Sequence, residues 1–248
     1  MITLPLGVQL YTVREETEKD FIGTLKKVKE IGYEGVEFAG FGGYSAEALK
    51  ATLEELGLKG FSSHVPLDQL EDDLANVIEY HVVLGVKNIV CPFIPEEYWD
   101  SKDKYLQLAT LFNKVGEQCK EAGIQFSYHH HAFEFKQFEG EYALDILLAN
   151  TDPELVQLEC DVFWVQYADI TPTEYLKKYE GRCPMVHVKD MKLKPEKTFA
   201  EVGTGVIDID AVVKTAEEIG AKWLIVEQDK CEGSAIESIE LSYNNLMK

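Results

Sequence analysis

Short apolar runs alternate with amphipathic stretches along this chain, and most of the apolar runs end on a polar residue. His64 follows Gly60-Phe61-Ser62-Ser63, and His129, His130 and His131 follow Ile124 to Tyr128. Asp161 follows Val156 to Cys160, His187 follows Met185-Val186, and Glu227 follows Trp223 to Val226. The stretches between these runs carry a helical period. Phe21, Leu25, Val28 and Ile31 recur at three- and four-residue spacing, as do Ile209, Val212, Val213, Ala216 and Ile219. Leu106, Leu108, Leu111, Phe112 and Val115 read in the same way. Gly32, Gly57, Gly85, Gly123 and Gly220 each close a helical pattern, and a strand follows within about three residues.

Eight strands emerge, near Leu6–Leu10, Gly35–Phe38, Lys59–Ser63, Asn88–Pro92, Gln125–Tyr128, Val156–Cys160, Met185–Val188 and Trp223–Val226. Strand–helix alternation over 248 residues, unbroken by a Pro/Ser/Gly tract, predicts a single (β/α)8 TIM barrel spanning residues 1–248. An open doubly wound sheet is the alternative. No G-x-G-x-x-G follows the first strand, which disfavours a dinucleotide fold. Lys192 to Thr204 is charged, contains Pro195 and reads as a loop.

The formal charge of −20 argues against nucleic acid and anionic membrane as partners, because phosphate binding needs a basic surface. Five scattered cysteines without a C-x-x-C pair read as reduced thiols. No apolar run approaches the length of a transmembrane helix. Met1 to Pro5 lacks a basic and an apolar signal region, which points to a cytoplasmic protein.

Active sites of parallel barrels lie at the C-terminal ends of the strands. That rule nominates Gln9, Tyr11 and Arg14 after strand one, Glu37 on strand two, His64 after strand three and His129 to Glu134 after strand five. It adds Asp161, then His187, Lys189 and Asp190, then Glu227, Gln228 and Asp229. Asp161, His187 and Glu227 come from consecutive strands and approach from adjacent directions. One imidazole with two or three carboxylates suits Mn²⁺, Co²⁺ or Zn²⁺, with Mg²⁺ possible. Each has an ordinary reading too: Asp161 as a helix N-cap, His187 as a core histidine, Glu227 as a salt-bridged strand end. Period-two alternation sends His129 and His131 to one side and His130 to the other. Lys189 shares a face with His187, where an ammonium can hold a substrate oxyanion or form an ordinary salt bridge.

These segments carry a resemblance: Gly7-Val8-Gln9-Leu10-Tyr11-Thr12-Val13-Arg14, Tyr128-His129-His130-His131-Ala132-Phe133-Glu134-Phe135, Asp161-Val162-Phe163-Trp164, His187-Val188-Lys189-Asp190, Gly203-Thr204-Gly205-Val206-Ile207-Asp208 and Val226-Glu227-Gln228-Asp229. Almost end to end, the chain resembles the sugar phosphate isomerase/epimerase group with a xylose-isomerase-like TIM barrel, especially its inosose-dehydratase-like branch. The resemblance implies one divalent metal held by a carboxylate after strand five, an Asp, a His and a final Glu. Asp161, His187 and Glu227 match those positions. Many members place Glu at the end of strand five, where this chain has Tyr128-His129. Either Glu134 folds back to supply the carboxylate, which is the preferred expectation, or His129 replaces it.

The expected activity is a metal-dependent sugar or sugar phosphate isomerase or epimerase working through a metal-stabilised enediolate. Glu227, His129 or His131 would move the proton and Lys189 would hold the oxyanion, while Gln9, Arg14, Glu37 and His64 would bind substrate. A dehydratase acting on a keto-sugar or keto-inositol is the alternative. A non-catalytic sugar-binding barrel ranks lower. So does an apurinic-site endonuclease, which would need more histidines than the six present and a basic face. Tyr98, Trp99 and Tyr105 suggest a surface for a homodimer.

Overall fold

The computed structural model describes residues 2–248. Eight parallel strands close into a barrel: β1 Leu6–Gln9, β2 Gly35–Phe38, β3 Lys59–His64, β4 Asn88–Cys91, β5 Gln125–His129, β6 Val156–Asp161, β7 Met185–Val188 and β8 Trp223–Val226. Each strand pairs with its neighbours in chain order, and β1 closes on β8. Leu6 opposes Leu224 across that seam. Register brings polar strand ends together, setting Gln9 beside Glu37, His129 beside Glu159 and Asp161 beside His187. Between the strands run helices whose buried faces match the sequence periods, among them Phe21–Ile31, Lys102–Glu121 and Ile209–Glu218. Gly57 and Gly85 end their helices in the left-handed conformation, φ 59° and 89°, which a side chain would disfavour.

Two apolar cores hold the fold. The larger fills the annulus between strands and helices. A small one plugs the barrel lumen, where Phe61, Val90, Met185 and Ile225 pack with Trp223. Phe61 stacks on Trp223 with ring centroids 3.9 Å apart. Above this plug the inward positions turn polar, so the lumen is sealed from below and any ligand has to enter at the strand C-termini.

Residues 192–204, read as a loop, instead contain part of a small hairpin: Asp190–Lys192 pairs antiparallel with Thr198–Ala200. The Asp190 carboxylate gathers the segment by accepting N–H bonds from Met191, Gly203, Gly205 and Ile207. A Cβ on Gly205 would lie 2.2 Å from Asp190 Oδ1, so glycine is required there. Tyr105 is buried inside the chain and is not available to a second copy. Trp99 is partly withdrawn as well, stacking on Phe133 at 3.9 Å and donating to the Ile94 carbonyl. All five cysteines are free. Among the described residues no helix is long and apolar enough to cross a membrane.

The lumen plug yields a direct test. A Cβ on Gly7 would sit 2.4 Å from Phe61 Cε1, and that ring is held by its stack on Trp223. Gly7→Ala is expected to lose about 1–3 kcal/mol in urea unfolding. Unchanged stability would mean that the lumen is loosely packed.

Candidate active site

Four side chains from four strand ends converge at the barrel mouth. One donor atom each from His129, Asp161, His187 and Glu227 lies within 4.8 Å of all the others, and all four residues are buried. Asp161 divides its two oxygens. Oδ1 caps the helix Val162–Tyr167 by accepting from the Phe163 N–H at 2.9 Å. Oδ2 faces the cluster, 2.9 Å from Lys189 Nζ and 3.7 Å from His129 Nε2. The capping contact and the contact with the cluster therefore coexist in one carboxylate.

Each clustered imidazole is held by a buried carboxylate at its other nitrogen. His129 Nδ1 lies 3.0 Å from Glu159 Oε1. His187 Nε2 lies 2.7 Å from Glu37 Oε2 and 3.0 Å from Glu159 Oε1, while its Nδ1 meets Glu227 Oε2 at 2.8 Å. Carboxylates placed behind histidines in this way fix ring orientation and raise ligand basicity at metal sites. Gln9 Nε2 donates to Glu37 Oε2 at 2.9 Å, and His64 Nε2 reaches both Glu159 and Glu37, at 2.9 and 3.3 Å. Gln9 and Glu37, expected to touch substrate, are thus fully buried, Glu37 engaged with His187 and His64 and Gln9 with Glu37.

Lys189 is the one permanent cation at the centre. Its ammonium lies 2.9, 2.8 and 2.7 Å from Asp161, Glu227 and Asp229. Glu37 and Glu159 bring the carboxylates to five, so one ammonium leaves negative charge in surplus. The imidazoles respond to that field. Burial alone would lower His64, but Glu37 and Glu159 raise it to about 10. Burial opposes the charge on His187 too, and Glu159, Glu37 and Glu227 override it, so its pKa is well above the usual value. His129 goes the other way: burial and then the neighbouring cations hold it well below, so it is neutral. Burial raises Asp161 to about 6 against the pull of Lys189 and His187. Glu37 Oε1 and Glu159 Oε2 are buried without a hydrogen-bond partner. A surplus of carboxylate, unpartnered buried oxygens and a compact N/O donor set fit a divalent cation.

The remaining nominated residues divide. Glu134, expected to fold back into the metal set, does not reach it. The short turn Phe133–Phe135 aims its carboxylate at β5, where Oε1 accepts from the Tyr128 hydroxyl at 2.6 Å and Oε2 from the His131 N–H at 2.9 Å. His129 stands in the cluster instead. His130 points away from His129 and His131, as alternation predicts, and its Nε2 accepts the Asp161 N–H at 3.1 Å. Arg14 is spent on backbone: it donates to the Tyr11 and Asp229 carbonyls at 2.7 and 3.0 Å and lies over the Tyr11 ring. His64, His129, His131, Glu227 and Asp229 line a cavity of about 760 Å³. Burial, then Lys189 and His130, lowers His131 to about 3, and its Nδ1 has no partner. Glu159 was not anticipated. Its place two residues before Asp161 on one strand, hence on the same face, was the available signal.

The chain matches the xylose isomerase-like TIM barrel family over residues 25–244, and it belongs to that family. Among its relatives, an inosose dehydratase from Clostridium botulinum (strain Alaska E43 / Type E3) is 27% identical, covering 86% of this chain and 83% of that protein. The structure of a sugar phosphate isomerase/epimerase from Parabacteroides distasonis superposes with a TM-score of 0.83 at 25% identity, covering 99% of this chain and 94% of that one. A probable 3-DHS dehydratase from Bacillus anthracis shares the fold alone, at 10% identity and a TM-score of 0.79, covering 99% of each chain.

Glu134 makes a prediction for stability against pH. Burial raises its carboxyl from 4.5 to about 7, outweighing the bonds from Tyr128 and the backbone. The folded state therefore binds this proton more tightly than the unfolded chain does. The contribution is full below pH ~4.5 and is lost as pH rises through ~7, by roughly 3 kcal/mol. In Glu134→Gln that loss should disappear, so the variant gains on the wild type by about this amount between pH 5 and pH 8. Denaturant unfolding at the two pH values measures it. A constant difference would show that Glu134 is ionised throughout.

Proposed function

We propose that this protein is a divalent-metal-dependent enzyme that removes the proton α to the carbonyl of a keto-sugar or keto-inositol and then expels a β-hydroxyl as water. One observation carries the reading: four clustered donors, His129, Asp161, His187 and Glu227, adjoin a cavity whose wall includes the imidazole of His131. Two nitrogens and two carboxylate oxygens suit Mn²⁺, Co²⁺ or Zn²⁺, and Mg²⁺ less well. When bound, such an ion draws charge onto a carbonyl oxygen and so acidifies the neighbouring carbon.

The chain's own groups supply the rest. Lys189, whose ammonium meets Asp161, Glu227 and Asp229, holds two of the clustered carboxylates in place. His131 takes the α-proton, and its low basicity makes the resulting imidazolium a strong acid. It passes that proton to the β-hydroxyl as the C–O bond breaks and the C=C bond forms. One water leaves, and His131 returns to its neutral state. His129 is held neutral by its surroundings and oriented by Glu159. The end of β5, where the family resemblance expects a glutamate, carries this imidazole instead, and this favours elimination over epimerisation. The dehydratase names of the relatives support the same choice.

Isomerisation or epimerisation is the second reading, supported by the Parabacteroides distasonis likeness. It shares the first step and returns the proton to carbon. Scyllo-inosose and fructose, incubated in D₂O with Mn²⁺ or Co²⁺, separate the two. Elimination gives a conjugated product that absorbs in the ultraviolet, and His131→Ala should slow it by about 10²–10⁴ while keeping its metal. Deuterium in recovered substrate without a conjugated product would favour the second reading. Neither signal from metal-loaded protein would contradict both.

A further inference from the structure

We propose that the cavity continues beyond the reactive end into a second subsite, walled by Phe41, Tyr80 and His81, which takes another sugar ring. The preferred substrate is then a keto-sugar carried in a glycoside or disaccharide, not a free monocycle. This rests on the carbohydrate reading above and specifies its substrate class.

The cavity is large for a single ring, about 760 Å³, a size that ordinarily encloses a drug-sized ligand. From His129 and His131 its wall runs out over the loop after β2 and along the helix Leu74–Leu84. There the Phe41 and Tyr80 rings lie 4.4 Å apart, both partly exposed. The Tyr80 hydroxyl donates to the Tyr44 carbonyl at 2.8 Å, which fixes the ring. Rigid aromatic surface of this kind packs against the C–H face of a pyranose.

His81 supplies the polar contact. It is 1% exposed, and its ring meets Phe41 edge-on at 5.5 Å. Nδ1 lies 2.7 Å from the Val77 carbonyl, an oxygen that only accepts, so this nitrogen carries the proton. In the neutral ring, which burial favours, Nε2 is then an acceptor, and it has no partner. An unmet acceptor in so buried a place is a cost to the fold. A leucine would pack there without that cost. A ligand hydroxyl is what the position is built to receive. At the outer edge Asn76 donates to Asp73 at 2.6 Å, adding groups that a polyol can engage.

The test compares binding of glucose, cellobiose, maltose and phenyl β-D-glucoside to Mn²⁺-loaded protein by ligand-observed NMR and calorimetry. Cellobiose or maltose should bind at least about tenfold tighter than glucose. His81→Leu and Phe41→Ala should each remove most of that advantage without changing glucose affinity, and His81→Gln, which keeps an acceptor, should restore part of it. Phe41 is on the cavity wall, so its variant keeps the test open should His81→Leu fold poorly. The proposal is overturned if the disaccharides show no advantage, if the advantage survives both variants, or if phenyl glucoside matches the disaccharides in wild type and His81→Leu alike. Those results would leave the enolisation chemistry standing, since deuterium exchange reads it separately.

Discussion

Four buried carboxylates and a partly exposed fifth gather around one ammonium at the mouth of this barrel, and the architecture above the lumen plug follows from how that charge is managed. Glu37, Glu159, Asp161, Glu227 and Asp229 would repel one another strongly in a medium of low dielectric. Lys189 bridges three of them, and the imidazoles of His64 and His187 are drawn towards their protonated forms by the others. Such an arrangement is a poor way to stabilise a fold, because well-packed apolar side chains of similar size would serve as well or better. It is a good way to hold a cation, since the field is in place before the ion arrives.

The scaffold supports that concentration of charge from beneath and from behind. Phe61, Trp223 and their neighbours close the lumen, so water and ligand meet the site from one side. Pairing register then aligns His129 with Glu159 and Asp161 with His187. Each imidazole of the cluster keeps one nitrogen on a carboxylate below and leaves the other on the cluster side. Glu134, Tyr128 and His130 work one layer further out. Their bonds fix the chain between β5 and its following turn and hold the Asp161 backbone in place.

Much of this was legible in the residues, for a physical reason. A parallel barrel is a repeating unit, so each strand end is announced by the helix-closing glycine before it and the polar residue after it. Asp161, His187, Lys189 and Glu227 could therefore be nominated from position alone. What escaped were features set by geometry within a unit. Glu159 looked like the interior of an apolar run, although period two places it on the face of Asp161. Glu134 was expected to return to the metal set, but the tight turn Phe133–Phe135 directs its carboxylate to Tyr128 and the His131 N–H. His81 lies mid-helix, and only packing reveals that its second nitrogen has nothing to bind.

The central claim is that His129, Asp161, His187 and Glu227 together bind one divalent cation. Titration with Co²⁺, followed by visible absorption and calorimetry on wild type, His129→Ala, His187→Ala and Glu134→Gln, tests it most directly. The account predicts one ion per chain in wild type, a spectrum that is altered or lost in both histidine variants, and an unchanged spectrum and affinity in Glu134→Gln. No binding to wild type, or loss in Glu134→Gln with His129→Ala unaffected, would contradict it.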